Sequence, residues 1–223
     1  EMRALLKRVD AFVGLEEFKT EFSRLAEVEA GELLSGSQKS RPLPKIALLG
    51  YPGTGKSSVM CVLGQLYWLM GQLELGHMPQ QAGREEPWLG REIQSVYVGA
   101  TRAKVDVAVK DAEGGVFALD EAHQLVGDDP SYGKEALEAI NSLITSNNNI
   151  LWVIAGYPAD MRERFLKQDA GLASRFNVTY ELPQYTTVQQ AEIFQRYCAR
   201  ERKRTVHADA LAALCARLDQ VSP

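Results

Sequence analysis

Two short stretches carry residue types that could do phosphate chemistry together. The first has glycine at 50, 53 and 55, Thr54 between them, and then Lys56 and Ser57, in G-x-x-x-x-G-K-[ST] spacing. Glycines let the backbone curl so that successive N–H groups face a triphosphate at the positive end of the following helix. A lysine at 56 reaches the β- and γ-phosphates, and the Ser57 hydroxyl is a ligand for Mg²⁺. The second stretch, Val116 to Leu119 followed by Asp120 and Glu121, is an apolar run ending in two carboxylates. Asp120 would hold the water shell of the same metal, while Glu121 would orient or deprotonate an attacking water. At average glycine usage the loop pattern alone arises by chance in roughly one chain in a hundred of this size. Its pairing with the carboxylate run is far more specific.

The flanking sequence must place these groups. Lys45 to Leu49 reads as a buried strand leading into the loop. An apolar-faced helix starts at Ser58 and runs to about Leu75. Upstream, Leu15, Phe18, Phe22, Leu25 and Val28 recur at helical spacing, predicting a helix through about Leu34. Gly36 to Pro44 is a linker. Gly76 to Trp88, with Pro79, Gly83 and Pro87, reads as an irregular excursion. Strands are expected at Ile93–Val98, Val116–Asp120, Ile150–Ala155 and Val178–Leu182, with helices at Thr101–Ala112 and Tyr132–Ser146. Pro158 opens a short helix at its first turn. Alternating strands and helices predict an α/β fold: a parallel sheet covered on both faces. Beyond Pro183 only helices follow, at Thr187–Lys203 and His207–Leu218. The expected organisation is a helical lead-in over residues 1–44, a P-loop core over 45–183, and part of a small helical lid over 184–223.

Bulk properties narrow the classes. The chain has 223 residues, 24% of them charged, and a net charge of −4. That balance gives no electrostatic footprint for nucleic acid, which is not a favoured partner. The cluster Arg196, Arg200, Arg202, Lys203 and Arg204 reads as a solvated helix end, favourable to the helix dipole. Cys61, Cys198 and Cys215 lack C-x-x-C spacing and predict reduced thiols, hence the cytoplasm or another reducing compartment such as an organelle stroma or matrix. No apolar run approaches the ~18 residues of a membrane span. The start at Glu1, without an initiator methionine, suggests a processed or excised fragment.

With both motifs placed, the chain from about Asp10 to Leu218 resembles the AAA+ ATPases, and within them the CbbX/CfxQ group. That group includes red-type rubisco activases, a type VII secretion ATPase and a sporulation ATPase. The stretches that carry the resemblance are Val13-Gly14-Leu15, Gly53 to Ser57, Gly76-His77, Tyr97-Val98-Gly99, Gly114-Gly115 and Asp120-Glu121-Ala122. Further on come Tyr132-Gly133 with Glu135-Ala136, Ala155-Gly156-Tyr157 and Ser174-Arg175. The resemblance implies a three-layer αβα domain with a helical lid, binding ATP and Mg²⁺. It implies that Val13 and Gly14 line the adenine slot and that Pro52, Gly53, Thr54, Gly55, Lys56, Ser57 and Ser58 hold the phosphates. It makes Tyr97, Val98 and Gly99 a pore loop, an exposed ring on a flexible base that grips extended polypeptide. A strand-end tyrosine packed on the sheet is the alternative. Arg175 is the implied arginine finger entering a neighbouring subunit's site, with Arg162 and Arg164 as competitors.

Departures from the family pattern also matter. Tyr157 stands where AAA+ proteins commonly carry a polar Asn or Thr sensor, as in the CbbX/CfxQ group. Ala173 replaces an expected second arginine, the 77–97 segment is long, and no lid sensor arginine precedes Pro223. Asp120-Glu-Ala-His123 also spells the box of DEAH helicases, but about 100 residues after it leave no room for their second nucleotide-facing domain. His123 is therefore expected to be an ordinary residue after the strand. Two functions follow: an ATP hydrolase acting as a homo-oligomeric, hexameric ring that remodels a protein client, or an ATP-gated scaffold that docks a partner without threading it.

Overall fold

The computed structural model describes residues 1–34, 42–75, 87–93, 100–126, 130–168 and 170–221. Five strands form one parallel sheet in the order β2-β3-β4-β1-β5: β1 (Lys45–Gly50), β2 (Trp88–Leu89), β3 (Val116–Asp120), β4 (Leu151–Gly156) and β5 (Val178–Leu182). Around it lie α1 (Met2–Asp10), α2 (Glu16–Leu34), α3 (Lys56–Leu69), α4 (Gly90–Ile93), α5 (Ala100–Asp111), α6 (Pro130–Ser146), α7 (Pro158–Asp160), α8 (Ala170–Arg175), α9 (Thr187–Glu201) and α10 (Ala208–Val221). A 3-10 segment, Ala122–Val126, follows β3, and a π-helical turn, Met161–Phe165, continues α7.

Alternation along each central strand explains the two helical layers. Side chains i and i+2 share a face, so Ile46 and Leu48, Val116 and Ala118, and Leu151, Val153 and Ala155 enter one core with α1, α2 and α3. Ala47 and Leu49, Phe117 and Leu119, and Trp152 and Ile154 enter the other, with α5, α6 and α8. All six residues of β4 are buried, as expected for a parallel strand covered on both sides. The edge strand β5 alternates instead: Thr179 and Glu181 face solvent while Leu182 is buried. The αβα fold expected from the strand–helix alternation is the one found.

The local differences have physical causes. Helix α1 has no counterpart in the sequence reading; Leu5 and Val9 seat it against α2 and α3, too few apolar turns to stand out. Helix α3 stops at Leu69 rather than about Leu75. Gly71, at φ 71°, turns the chain back so that its N–H and that of Gln72 satisfy the carbonyls of Trp68 and Tyr67. The strand expected at Ile93–Val98 is not there at its start: Ile93 ends helix α4, and 94–98 lie outside the described residues. The edge strand is instead Trp88–Leu89, paired in register with Leu119 and Asp120. It occupies the end of the stretch read as an excursion, of which 76–86 lie outside the described residues.

Because β1 runs between β4 and β5, and β3 beside β4, the carboxyl ends of β3, β4 and β1 lie side by side. Leu49 pairs with Gly156 and Leu119 with Ile154. Everything that leaves those three ends therefore converges on one edge, where open α/β sheets bind ligands. Beyond β5, α9 and α10 pack on each other; α9 buries only Ala191. No helix among the described residues is long and apolar enough to cross a membrane.

Candidate nucleotide-binding site

The loop leaving β1 is shaped by glycine at three points. Gly53 and Gly55 take φ of 77° and 93°, which L side chains avoid. A Cβ at Gly50 would sit 2.6 Å from Thr54 Oγ1, so Gly50 lets the loop close on itself. Thr54 is 2% exposed; its hydroxyl donates to Tyr51 O at 2.8 Å. Helix α3 opens with Gly55 as N-cap and no side chain capping it. Its first N–H groups, those of Lys56, Ser57 and Ser58, are thus left for an anion rather than taken by a capping side chain. Lys56 is 7% exposed, and its ammonium donates to Gly50 O and Tyr51 O, both at 3.1 Å. The cation rests on the very loop that would hold the phosphates, one side-chain swing from them.

Facing the loop, β3 ends in Asp120 and Glu121. The Glu121 N–H donates to Asp120 Oδ1 at 2.8 Å. Glu121 has φ 50°, an unusual conformation for a side chain of its size. The turn is accommodated by Gly90 of α4, where a Cβ would lie 2.5 Å from Glu121 O. Gln124 Nε2 donates to Glu121 Oε2 at 2.6 Å, which fixes where that carboxylate points. With Ser57 exposed at the helix start and Asp120 half-buried, the pair offers a hydroxyl and a carboxylate. That is the sparse oxygen set Mg²⁺ takes when phosphate and water supply the rest of its octahedron. The residues fit the ion.

Tyr157, at the end of β4, is the hub of the wall between the two motifs. Its ring stacks with Tyr51 (centroids 6.3 Å apart, 19° between planes) and lies 4.6 Å from the His123 ring. Lys56 Nζ is 5.8 Å from its centroid, within cation–π range. Partial burial raises its phenol pKa, and the charges of Glu121, Asp120 and Asp160 add to the rise; the hydroxyl stays a donor. His123 is 7% exposed, and Nδ1 has no hydrogen-bond partner among the described residues. Burial pulls its pKa below the ordinary 6.5, against the opposing pull of Asp160 and Glu121. Gly156 makes room for it: a Cβ there would lie 2.7 Å from His123 Nδ1. His123 is thus a wall of this site and not the ordinary residue expected from the sequence.

On the other side of the loop lies a pocket of about 320 Å³ whose lining includes Phe12, Val13, Leu15, Ser58, Tyr185 and Ile193. Val13 lines it. Gly14 does not, but at φ 63° it turns the chain, and the Gln189 side chain lies where its Cβ would be. Arg175 ends α8, apart from this pocket, with Nη1 donating to Gly171 O at 2.7 Å beside a shallow polar depression on α6. Its competitors are engaged within the chain, Arg162 with Glu181 and Arg164 with Asp160. The proposed pore loop, Tyr97, Val98 and Gly99, lies outside the described residues. Sequence reasoning missed Gly90, Gln124 and Tyr185. Only Gln124 left a local trace, its position one helical turn after Glu121.

No family model matches the chain. Among curated proteins, Stage V sporulation protein K of Bacillus subtilis is 28% identical over 200 residues, 87% of this chain and 60% of that protein. Protein CbbX of Cereibacter sphaeroides is 31% identical over 198 residues, 86% of this chain and 62% of that one. The chain thus spans about 60% of the length of these two relatives. The AAA domain of FIGL-1, solved in complex with ADP, superimposes with a TM-score of 0.53 at 16% identity, covering 85% of this chain and 60% of that one. Strand order, phosphate loop, paired carboxylates and these comparisons agree: the chain has the AAA+ P-loop fold and is similar over most of its length to the CbbX/CfxQ group of AAA+ ATPases.

Proposed function

We propose that this chain is the motor module of a Mg²⁺-ATP-dependent AAA+ ATPase that works as an oligomeric ring and remodels a protein client. One observation carries the reading. Lys56, just past the end of β1, is buried against its own loop carbonyls, and Glu121, past the end of β3 on the same side of the sheet, is held by Gln124. A triphosphate reaching the uncapped start of α3 would draw the Lys56 ammonium off Gly50 O and Tyr51 O onto its β- and γ-oxygens. The base or ribose would lie in the pocket of Val13, Leu15 and Tyr185. Mg²⁺, held by Ser57 and Asp120, would offset charge on the phosphates. Glu121, oriented by Gln124, would take the proton of the attacking water.

Arg175 supports a role in trans. It leaves the nucleotide pocket of its own chain and stands at the end of a short helix beside an open depression, where a neighbouring subunit's γ-phosphate could meet it. Hydrolysis at such an interface would move the segment carrying Tyr97, Val98 and Gly99 against a client. The client's identity and the hexameric count belong to this proposal as well.

The test uses two variants in the full-length parent protein. Arg175→Ala is expected to bind ATP normally while turnover falls by about 10³-fold or more. Mixing it with Glu121→Gln creates interfaces that join an intact Glu121 to an intact Arg175, so activity returns in the mixture. An Arg175→Ala protein with wild-type turnover, or a mixture that stays silent while both variants assemble, removes the trans finger and with it the ring mechanism. Loss of client capture on Tyr97→Ala then separates threading from an ATP-gated scaffold.

A further inference from the structure

Tyr185 lies in the link between β5 and α9, a part of the chain with no motif. Its hydroxyl donates to Thr54 O at 3.1 Å, 131 residues back in the phosphate loop, and stands 3.3 Å from the position a Cβ on Gly55 would take. Its ring is half-buried and lines the pocket beside the loop. At its other end Tyr185 is fixed to α9. Its carbonyl accepts from Gln190 Nε2 at 3.0 Å, and the next residue, Thr186, caps α9 in a reciprocal box with Gln189.

The consequence follows from peptide planarity. Thr54 C=O and Gly55 N–H belong to one trans peptide and point in opposite directions. A donor holding the carbonyl on the Tyr185 side therefore holds the Gly55 N–H on the other side of the loop. Gly55, at φ 93°, has no Cβ to restrict that peptide, so unaided it could flip. In the flipped orientation the loop would offer a carbonyl oxygen where an anion needs an N–H.

We propose that Tyr185 is a positioning residue for phosphate binding: its hydroxyl pins the Thr54–Gly55 peptide so that the Gly55 N–H faces the phosphates. Because Tyr185 is tied into the start of α9, the same bond makes the phosphate loop sensitive to where the C-terminal helices sit. The inference rests on the nucleotide reading above and deepens it.

Tyr185→Phe removes the hydroxyl and keeps the ring in the pocket wall. In the full-length protein, ADP, ATP and adenosine are titrated as competitors of a fluorescent ADP analogue, in wild type and variant, with melting temperature as the check on folding. The expected result is a loss of about 3- to 10-fold in affinity for ADP and ATP, the range one net hydrogen bond supplies. Adenosine, which has no phosphate, is expected to compete within about 2-fold of wild type. Undiminished ADP affinity in Tyr185→Phe overturns the inference. An equal proportional loss for adenosine and ADP also overturns it, because the hydroxyl would then serve the pocket wall and not the loop. A wild-type protein that binds none of the three would instead sink the nucleotide reading itself.

Discussion

The central sheet and the C-terminal helical pair are built on opposite principles. In the sheet, β1, β3 and β4 bury nearly every side chain, with Trp152 at 0% exposure packed 4.7 Å from Phe117. Helix α9 buries Ala191 alone and leaves Val188, Phe194 and Tyr197 at 72%, 45% and 50% exposure. Among the described residues its ties to the rest include Tyr185 on Thr54, Gln189 beside Gly14 and Arg196 on Ala11 O, with Ile193 lining the pocket beside Val13 and Leu15. A rigid edge that holds phosphate-handling groups is thus joined to a pair of helices held by bonds that each contribute only about 1 kcal/mol.

Paired truncations would break the comparison most severely. Trp152→Ala is expected to destabilise by about 3–5 kcal/mol, while Phe194→Ala should stay within about 0.5 kcal/mol, both read from denaturant midpoints. Similar losses at the two positions would mean that α9 is as much part of the core as β4.

A smaller effect concerns the site wall. The folded protein holds His123 less protonated than the unfolded chain does. The unfolded state therefore takes up more protons as pH falls, and stability rises with pH. The stability of the wild type should be complete above about pH 6.5. It should decline as pH falls through that value toward the depressed folded pKa and level off below it. His123→Gln should lose this part of the slope in melting temperatures taken between about pH 5 and 8. An unchanged slope would assign the dependence to other groups.

How much of this was legible in the sequence follows the same division. Strands β1, β3, β4 and β5 are continuous or alternating apolar runs, and the chemistry at their ends has fixed spacing, so Lys56, Ser57, Asp120 and Glu121 could be placed before any coordinates. The two-residue strand Trp88–Leu89 has no period to detect, and its partner residues are 31 positions away. Helix α1 buries Leu5 and Val9, with Met2 and Leu6 partly buried against the same core, in fewer than three turns. Tyr185, Gly90 and His123 act through contacts that only the fold creates: a hydroxyl on a distant carbonyl, a missing Cβ against a turned backbone, an imidazole seated over Gly156. Arg175 was readable as a residue type in a place, but the role proposed for it depends on a second subunit.

The central claim is that the edge formed by β1, β3 and β4 binds ATP through Lys56 and hydrolyses it through Glu121. The most direct measurement is Mg²⁺-ATP binding and turnover by the full-length protein in wild-type and Glu121→Gln forms. The account predicts ATP affinity within about 3-fold of wild type in Glu121→Gln, with turnover lowered by about 10²-fold or more. Wild-type turnover in Glu121→Gln, or no ATP binding by the wild type, would contradict it.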